Sequence, residues 1–205
     1  MTDSNDPHTP RVPHRRFFLR HAGRLSGVAV ATVAGVMAAR PARAAVASAA
    51  VDGSGIAGAK RLALVHTHTG EQISLVYAEG AQYEPEALRS LDRFLRDHYS
   101  GSVGRIDPRL YDLLHRLQTS LEARGPFEII SGYRDERTNA HLRQTRGGGV
   151  ARKSLHMEGR ALDVRLQGVA LADLRDAALG LRAGGVGFYP RSGFVHVDTG
   201  RVRSW

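Results

Sequence analysis

Two short segments of the chain carry side chains suited to binding a metal ion. The segment 153–164 (KSLHMEGRALDV) contains His156 and Asp163, and the segment 193–198 (GFVHVD) contains His196. Two imidazoles and one carboxylate supply three ligands to a single zinc ion, and three protein ligands leave a fourth position for water, as in catalytic zinc sites. These residue types therefore predict metal-assisted hydrolysis.

The spacing of the first two candidate ligands excludes a common helix face. His156 and Asp163 are seven positions apart with Gly159 between them, whereas two ligands on one face of a helix are three or four apart. We therefore expect a loop that turns at Gly159 and enters a strand. In that strand Asp163 lies on the face opposite Leu162 and Val164, and a buried carboxylate there needs a metal ion, an arginine or N–H groups as partner.

The elements that must position these residues follow from periodicity and from turn residues. Alternating segments predict strands, segments with helical spacing of apolar residues predict helices, and Asp107-Pro108 is typical of a helix start. The order indicates an α+β domain with helices packed on one face of a small, mainly antiparallel sheet. The expected elements are a hairpin (61–66 and 72–77), a helix (85–98), a helix from 107 to about 124, a strand (127–130), a short helix (137–143), a strand (161–166), a helix (171–182) and a closing hairpin (184–189 and 194–198).

The combined motifs resemble those of a known group of enzymes. The pattern S-x-H-x-x-G-x-A-x-D over 154–163, followed by VHVD over 195–198, is similar to that of the LAS zinc peptidases, named for lysostaphin, the D-alanyl-D-alanine metallopeptidases and the sonic hedgehog N-domain. Within that group the chain most resembles periplasmic murein endopeptidase K-like proteins. The resemblance implies a hedgehog/D-Ala-D-Ala-peptidase-like fold and one Zn²⁺ per chain, held by His156, Asp163 and His196. It also implies cleavage of peptide bonds in peptidoglycan stems and cross-links.

The resemblance also suggests residues that meet the substrate. The segment 131–134 (SGYR) is similar to a turn of the family in which the arginine faces substrate, so Arg134 and Tyr133 are expected at the binding site. The Arg134 fork could bind a carboxylate of D-Ala or diaminopimelate, polarise the scissile carbonyl, or hold the turn through backbone carbonyls. Ser154 is expected either at the substrate or bonded within the ligand loop.

The predicted site has no titratable side chain where many relatives carry the general base. Many relatives place a Glu or His two or three residues before the last zinc ligand, where this chain has Gly193 and Phe194. Asp198 shares a strand face with His196 and is the candidate catalytic residue. It would either accept the water proton or orient an imidazole ligand, and both roles stay open. Glu158 is the next candidate.

Five further histidines of the predicted peptidase domain have no motif context, and two of them, His98 and His115, are expected on helix surfaces. All five stand outside the two metal-binding segments: His66, His68, His98, His115 and His141.

Three functions compete on these observations. The leading prediction is a zinc-dependent murein endopeptidase that hydrolyses peptide cross-links. The missing base favours a non-catalytic zinc protein that binds the cell wall, and a D,D-carboxypeptidase that trims D-Ala is the third reading. The sequence does not separate D,D-bond from L,D-bond cleavage.

The N-terminal 44 residues resemble a twin-arginine export signal. Arg15-Arg16 precedes Phe17 and an apolar stretch of about 15 residues, too short for a comfortable membrane span, and PARA at 41–44 suits cleavage after Ala44. We therefore expect a signal peptide (1–44), a flexible linker (45–59) and a peptidase domain (60–205). The expected product is a periplasmic monomer without stable membrane insertion.

Composition limits the partners and the chemistry. The chain has 205 residues, no cysteine and a formal net charge of +9, of which +5 falls in the first 44 residues. Disulfides, thiolate ligands and a cysteine nucleophile are therefore excluded. Because much of the positive charge belongs to the leader, it does not indicate nucleic-acid binding, and a mildly basic mature chain suits an anionic cell-wall polymer.

Overall fold

The computed structural model describes residues 58–145 and 149–205. The predicted signal peptide, nearly all of the predicted linker and the glycine-rich residues 146–148 lie outside the described residues. The strands are β1 (Ala59–His66), β2 (Gln72–Glu79), β3 (Gln82–Tyr83), β4 (Phe127–Ser131), β5 (Ala161–Leu166), β6 (Gly185–Tyr189), β7 (Phe194–Asp198) and β8 (Arg203–Ser204). The helices are α1 (Pro85–Phe94), α2 (Arg109–Ser120), α3 (Glu136–Thr145) and α4 (Leu171–Leu181), with a 3-10 turn at Leu155–Glu158.

All eight strands join in one sheet, in the order β3-β2-β1-β4-β5-β7-β6-β8. Neighbouring strands are antiparallel except for β1 beside β4 and β6 beside β8. The prediction of an α+β domain with a mainly antiparallel sheet is confirmed, and so are both predicted hairpins. Among the described residues no helix has the length and apolar character needed to cross a membrane.

The hydrophobic core lies between one face of the sheet and three helices. The residues Leu162, Val164 and Leu166 of β5 and Val195 and Val197 of β7 point into it and are almost fully buried. Helices α2 and α4 pack against these strands, and α1 packs against β2. Because strand residues alternate between faces, the same strands leave Asp163 and His196 on the opposite side of the sheet.

Helix α3 is the exception to the prediction that all helices pack on one face. Its residues Thr138 and Leu142 line a small cavity together with Asp163 and Phe194, which lie on the face away from the core. This helix therefore borders the side of the sheet that carries the predicted metal ligands.

Several helix boundaries differ from the sequence prediction, most of all in α1 and α2. Helix α1 ends at Phe94, four residues before the expected end, because the Asp97 carboxylate accepts the Tyr99 amide and turns the chain. Helix α2 begins at Arg109, one residue after Pro108, which the prediction placed first in the helix behind Asp107 as its N-cap. The Asp107 carboxylate accepts the Arg109 amide at this start, and the helix ends at Ser120, about four residues before the predicted end.

Candidate metal centre and cleft

Strand pairing brings two of the three predicted ligands together. Asp163 of β5 stands directly opposite His196 of β7, and 2.9 Å separates His196 Nδ1 from Asp163 Oδ1. Both side chains project from the sheet face that α1, α2 and α4 leave uncovered. The apolar neighbours of each residue in sequence fill the core on the other face, which fixes the direction of both polar side chains.

The third predicted ligand reaches the same point from the 3-10 turn. His156 is buried, and its Nε2 lies 3.3 Å from Asp163 Oδ1. The turn ends at Gly159 with a left-handed φ of +64°, and a Cβ there would stand 1.9 Å from the Arg105 carbonyl oxygen. Only glycine meets both conditions, so the predicted turn at Gly159 is confirmed.

The donor atoms of His156, Asp163 and His196 fit a single metal ion. One ligand atom from each residue lies within 4.8 Å of the others. His156 Nδ1 lies 2.8 Å from the Gly132 carbonyl oxygen, and a carbonyl only accepts, so Nδ1 carries the proton and the Nε2 lone pair faces Asp163. A hydrogen bond of this kind to the second nitrogen is typical of metal-binding histidines.

The electrostatics of this group favour a bound cation. Burial alone would raise the pKa of Asp163, but the two imidazoles hold it well below its ordinary value. Burial would likewise lower the pKa of His196, yet its hydrogen bonds to Asp163 and Asp198 raise it. His196 is thus held between two carboxylates that both attract positive charge, which a divalent ion would supply.

Asp198 lies on the side of His196 away from Asp163. Its Oδ2 is 3.2 Å from His196 Nε2, whereas Asp163 meets Nδ1. Fully buried, the Asp198 carboxylate also accepts the Gly185 and Gly200 amides and both terminal nitrogens of Arg203. Burial would raise the pKa of Asp198, but the hydrogen bonds from His196, Arg203 and the two amides hold this pKa well below its ordinary value.

A cleft of about 410 Å³ opens beside the three residues. Its lining combines three cationic side chains, three aromatic rings and the three candidate metal ligands, and Asp163 is the one acidic side chain among the described lining residues. The side chains concerned are Arg134, Lys153, Arg203, Tyr189, Phe194, Trp205, His156, Asp163 and His196. Such a surface attracts anionic ligands.

Of the three residues predicted to contact the substrate, two line the cleft and one lines the small cavity beside α3. Arg134 lines the cleft, and its guanidinium donates to Ser131 Oγ and Asn139 Oδ1, which restricts its orientation. Ser154 lines the cleft as well. Tyr133 faces the small cavity beside α3, where its ring packs over Gly104.

Of the remaining candidates, Glu158 is exposed and pairs with Arg160. The small cavity of about 40 Å³ is lined by His68 and His98, whose rings stack at 4.1 Å between centroids. The prediction of His98 on a helix surface is therefore wrong, because α1 ends before it. His115 lies on α2 as expected and is half-buried.

Several contributors escaped the sequence prediction. The Gly132 carbonyl orients His156, and the aromatic side chains of Tyr189 and Trp205 line the cleft. A backbone carbonyl gives no signal in a sequence. Trp205 is the single tryptophan of the chain, which could have marked it as a candidate ligand-binding residue. Its place in the cleft depends on β8, which is too short to predict.

Comparison with known proteins agrees with the motif resemblance. The family model described as peptidoglycan L,D-endopeptidase MepK matches residues 55–205. Peptidoglycan L,D-endopeptidase MepK of Escherichia coli (strain K12) is 49% identical over 144 residues, which cover 70% of this chain and 79% of that protein. The protein named "Probable peptidoglycan L,D-endopeptidase MepK" of Haemophilus influenzae is 42% identical over 139 residues, covering 67% and 74%.

No solved structure matches the chain. The family match nevertheless spans every described strand and helix together with the three clustered ligand candidates. On this evidence the chain belongs to the peptidoglycan L,D-endopeptidase MepK family of peptidases.

Proposed function

We propose that this protein is a zinc-dependent murein endopeptidase that hydrolyses L,D-peptide bonds in peptidoglycan cross-links. The observation that carries the proposal is the convergence of His156, Asp163 and His196 at the edge of a cationic cleft. The names of the relatives support the L,D-bond over the D,D-bond. The proposal includes a hedgehog/D-Ala-D-Ala-peptidase-like arrangement of the domain.

In this proposal His156, Asp163 and His196 hold one Zn²⁺. Zinc in such a site lowers the pKa of a bound water toward neutrality and polarises a carbonyl. The protein contributes orientation: the Gly132 carbonyl and Asp198 fix the two imidazole rings, each through the ring nitrogen that points away from Asp163. Fixed rings reduce the reorganisation required during reaction.

Arg134 is the proposed contact for the substrate carboxylate. Its guanidinium stands in the cleft and is held by Ser131 and Asn139. A planar, fixed guanidinium binds a carboxylate through two parallel hydrogen bonds, and peptidoglycan stems offer such groups. Lys153 and Ser154 on the neighbouring wall would extend the polar surface that meets the stem.

We assign Asp198 to orientation of His196 rather than to proton abstraction. Its carboxylate is fully buried, accepts from four other donor atoms and is absent from the described cleft lining. A base must reach the proton that it removes. Asp198 lies beside Nε2 of His196, whereas Asp163 and the proposed metal position lie on the Nδ1 side.

Digestion of purified sacculi by zinc-loaded mature chain (45–205) tests the proposed function. We expect soluble muropeptides whose new termini identify cleavage at L,D-bonds. The matched control is the His156→Ala, His196→Ala double variant, which should release none. Release of free D-Ala alone would instead support the carboxypeptidase. Binding to sacculi without release would support the non-catalytic wall-binding protein.

A further inference from the structure

The cleft contains an apolar surface whose role the metal centre does not explain. Trp205 is half exposed, yet it lies against His196 with 5.2 Å between ring centroids. Large exposed aromatic side chains in a cleft are typical of ligand-binding surfaces when they are held in one orientation. Five contacts hold Trp205 in this way, two through its backbone and three through its indole ring.

The backbone of Trp205 is the first restraint. Its amide donates to the Val186 carbonyl at 3.2 Å, and its carbonyl accepts the Phe188 amide at 3.0 Å. These bonds continue the pairing of β8 with β6. This pairing places the Trp205 side chain near His196, which lies on β7 on the other side of β6.

Three further contacts restrain the indole ring itself. Its Nε1 donates to the Tyr189 hydroxyl at 2.7 Å, and the Arg203 guanidinium lies 4.8 Å from the ring centroid. The indole also packs directly against Gly187, where a Cβ would stand only 2.7 Å from Trp205 Cε2. The ring therefore does not need to be ordered when a ligand arrives, which lowers the entropic cost of binding.

We propose that Trp205 is a substrate-binding residue whose indole packs against a C–H-rich face of the substrate beside the metal centre. Tyr189 and Phe194, stacked at 4.6 Å, adjoin it in the same lining. The cationic residues Arg134 and Lys153 complete the cleft, so a ligand with an apolar face and a carboxylate matches both kinds of surface. In peptidoglycan that face belongs either to a sugar ring or to an aliphatic stem side chain. This inference rests on the proposed function.

Steady-state cleavage of soluble cross-linked muropeptides tests the subsite. Trp205→Ala should raise KM by roughly 10-fold and leave kcat within about 3-fold, because the lost contact is equal in the ground and transition states. Trp205→Phe should recover much of the loss. Val202→Ala, at an exposed neighbouring position outside the cleft lining, is the matched control and should behave as the unmodified chain.

Comparison of two substrates identifies the source of the apolar face. If the effect of Trp205→Ala requires the disaccharide, Trp205 binds a sugar ring; if it persists on the sugar-free peptide, Trp205 binds the stem. Because Trp205 is the only tryptophan in the chain, its fluorescence should also change on titration with the same muropeptides.

An unchanged KM on both substrates, with cleavage intact, would overturn the subsite and leave the proposed function standing. A loss of zinc affinity or kcat with unchanged KM would show that Trp205 only supports His196. Absence of cleavage by the unmodified chain would instead count against the proposed function itself.

Discussion

His156 and His196 differ in the group that holds their second ring nitrogen. A neutral backbone carbonyl holds His156, whereas the buried carboxylate of Asp198 holds His196. A carboxylate partner increases the basicity of an imidazole ligand more than a carbonyl does. The two histidines should therefore respond differently when their surroundings are changed.

Removal of a ligand tests the metal assignment. The mature chain should bind one zinc ion, and His156→Ala should abolish both zinc binding and activity, because two ligands rarely retain Zn²⁺ at neutral pH. Elemental analysis after dialysis measures the zinc content. Full occupancy in the His156→Ala, His196→Ala double variant would contradict the site.

Replacement of Asp198 separates orientation from proton transfer. Asp198→Asn should weaken zinc affinity about 10–100-fold while turnover at saturating zinc largely survives. Zinc titration and muropeptide release, measured in parallel, give the two quantities. Asp176→Asn on the exposed surface of α4 is a suitable control. Retained zinc with a loss of about 10²–10⁴-fold in turnover would restore Asp198 as the base.

For individual residues, the sequence predicted which side chains come together at the site, but it did not predict the role of each one. The motif spacing was enough to select His156, Asp163 and His196, and the structure places both imidazoles close to the Asp163 carboxylate. It could not decide the role of Asp198. That role depends on the ends of two other elements, the Gly185 and Gly200 amides and the Arg203 side chain.

At the scale of elements, β1 and α1 meet around a buried imidazole. His66 ends β1, is almost fully buried, and its ring lies 6.0 Å from that of Phe94 on α1. Among the described residues its Nε2 has no hydrogen-bond partner. Burial, together with the neighbouring histidines His98 and His68, lowers the pKa of His66 to about 4.

Stability should therefore fall with acid at this junction. In the unfolded chain His66 takes up a proton near its ordinary pKa of 6.5, whereas the folded chain resists protonation until about pH 4. This one group should lower the free energy of unfolding by about 2 kcal/mol between pH 7 and pH 5. Urea unfolding at both pH values measures the difference.

The control for this prediction compares pH dependences rather than absolute stabilities. His66→Leu should show a smaller loss between pH 7 and pH 5 than the unmodified chain. His141→Asn, at an exposed position on α3, should show the same loss as the unmodified chain. Equal losses in all three proteins would exclude His66 as the source.

Long periodic elements could be predicted, and short or interrupted ones could not. The strand 161–166 agrees with its predicted bounds, and α4 ends one residue before the prediction. The two-residue strands β3 and β8 carry too few residues for a periodic pattern. The early end of α1 depends on the Asp97 side chain and on the Leu95 carbonyl, which accepts the Tyr133 amide from a distant part of the chain.

At the scale of the whole molecule, export remains a prediction of the leader sequence. Twin-arginine signals are read by a receptor, so the charge-preserving change Arg15→Lys, Arg16→Lys should block delivery to the periplasm. Cell fractionation followed by immunoblotting measures the location, and Arg11→Lys outside the pair is the control. Normal delivery of the double variant would indicate a general secretory leader.

The direct pairing of Asp163 with His196 has a consequence for how the chain reaches its native state. If β7 shifted by one residue against β5, many backbone hydrogen bonds could re-form, but His196 would point into the helix-covered core. Its ring and the Asp163 carboxylate would then lie on opposite faces of the sheet, with no common position for an ion. Binding of the proposed metal ion would thus be selective for the native strand alignment, and zinc present during folding would draw misaligned chains toward the native sheet by mass action.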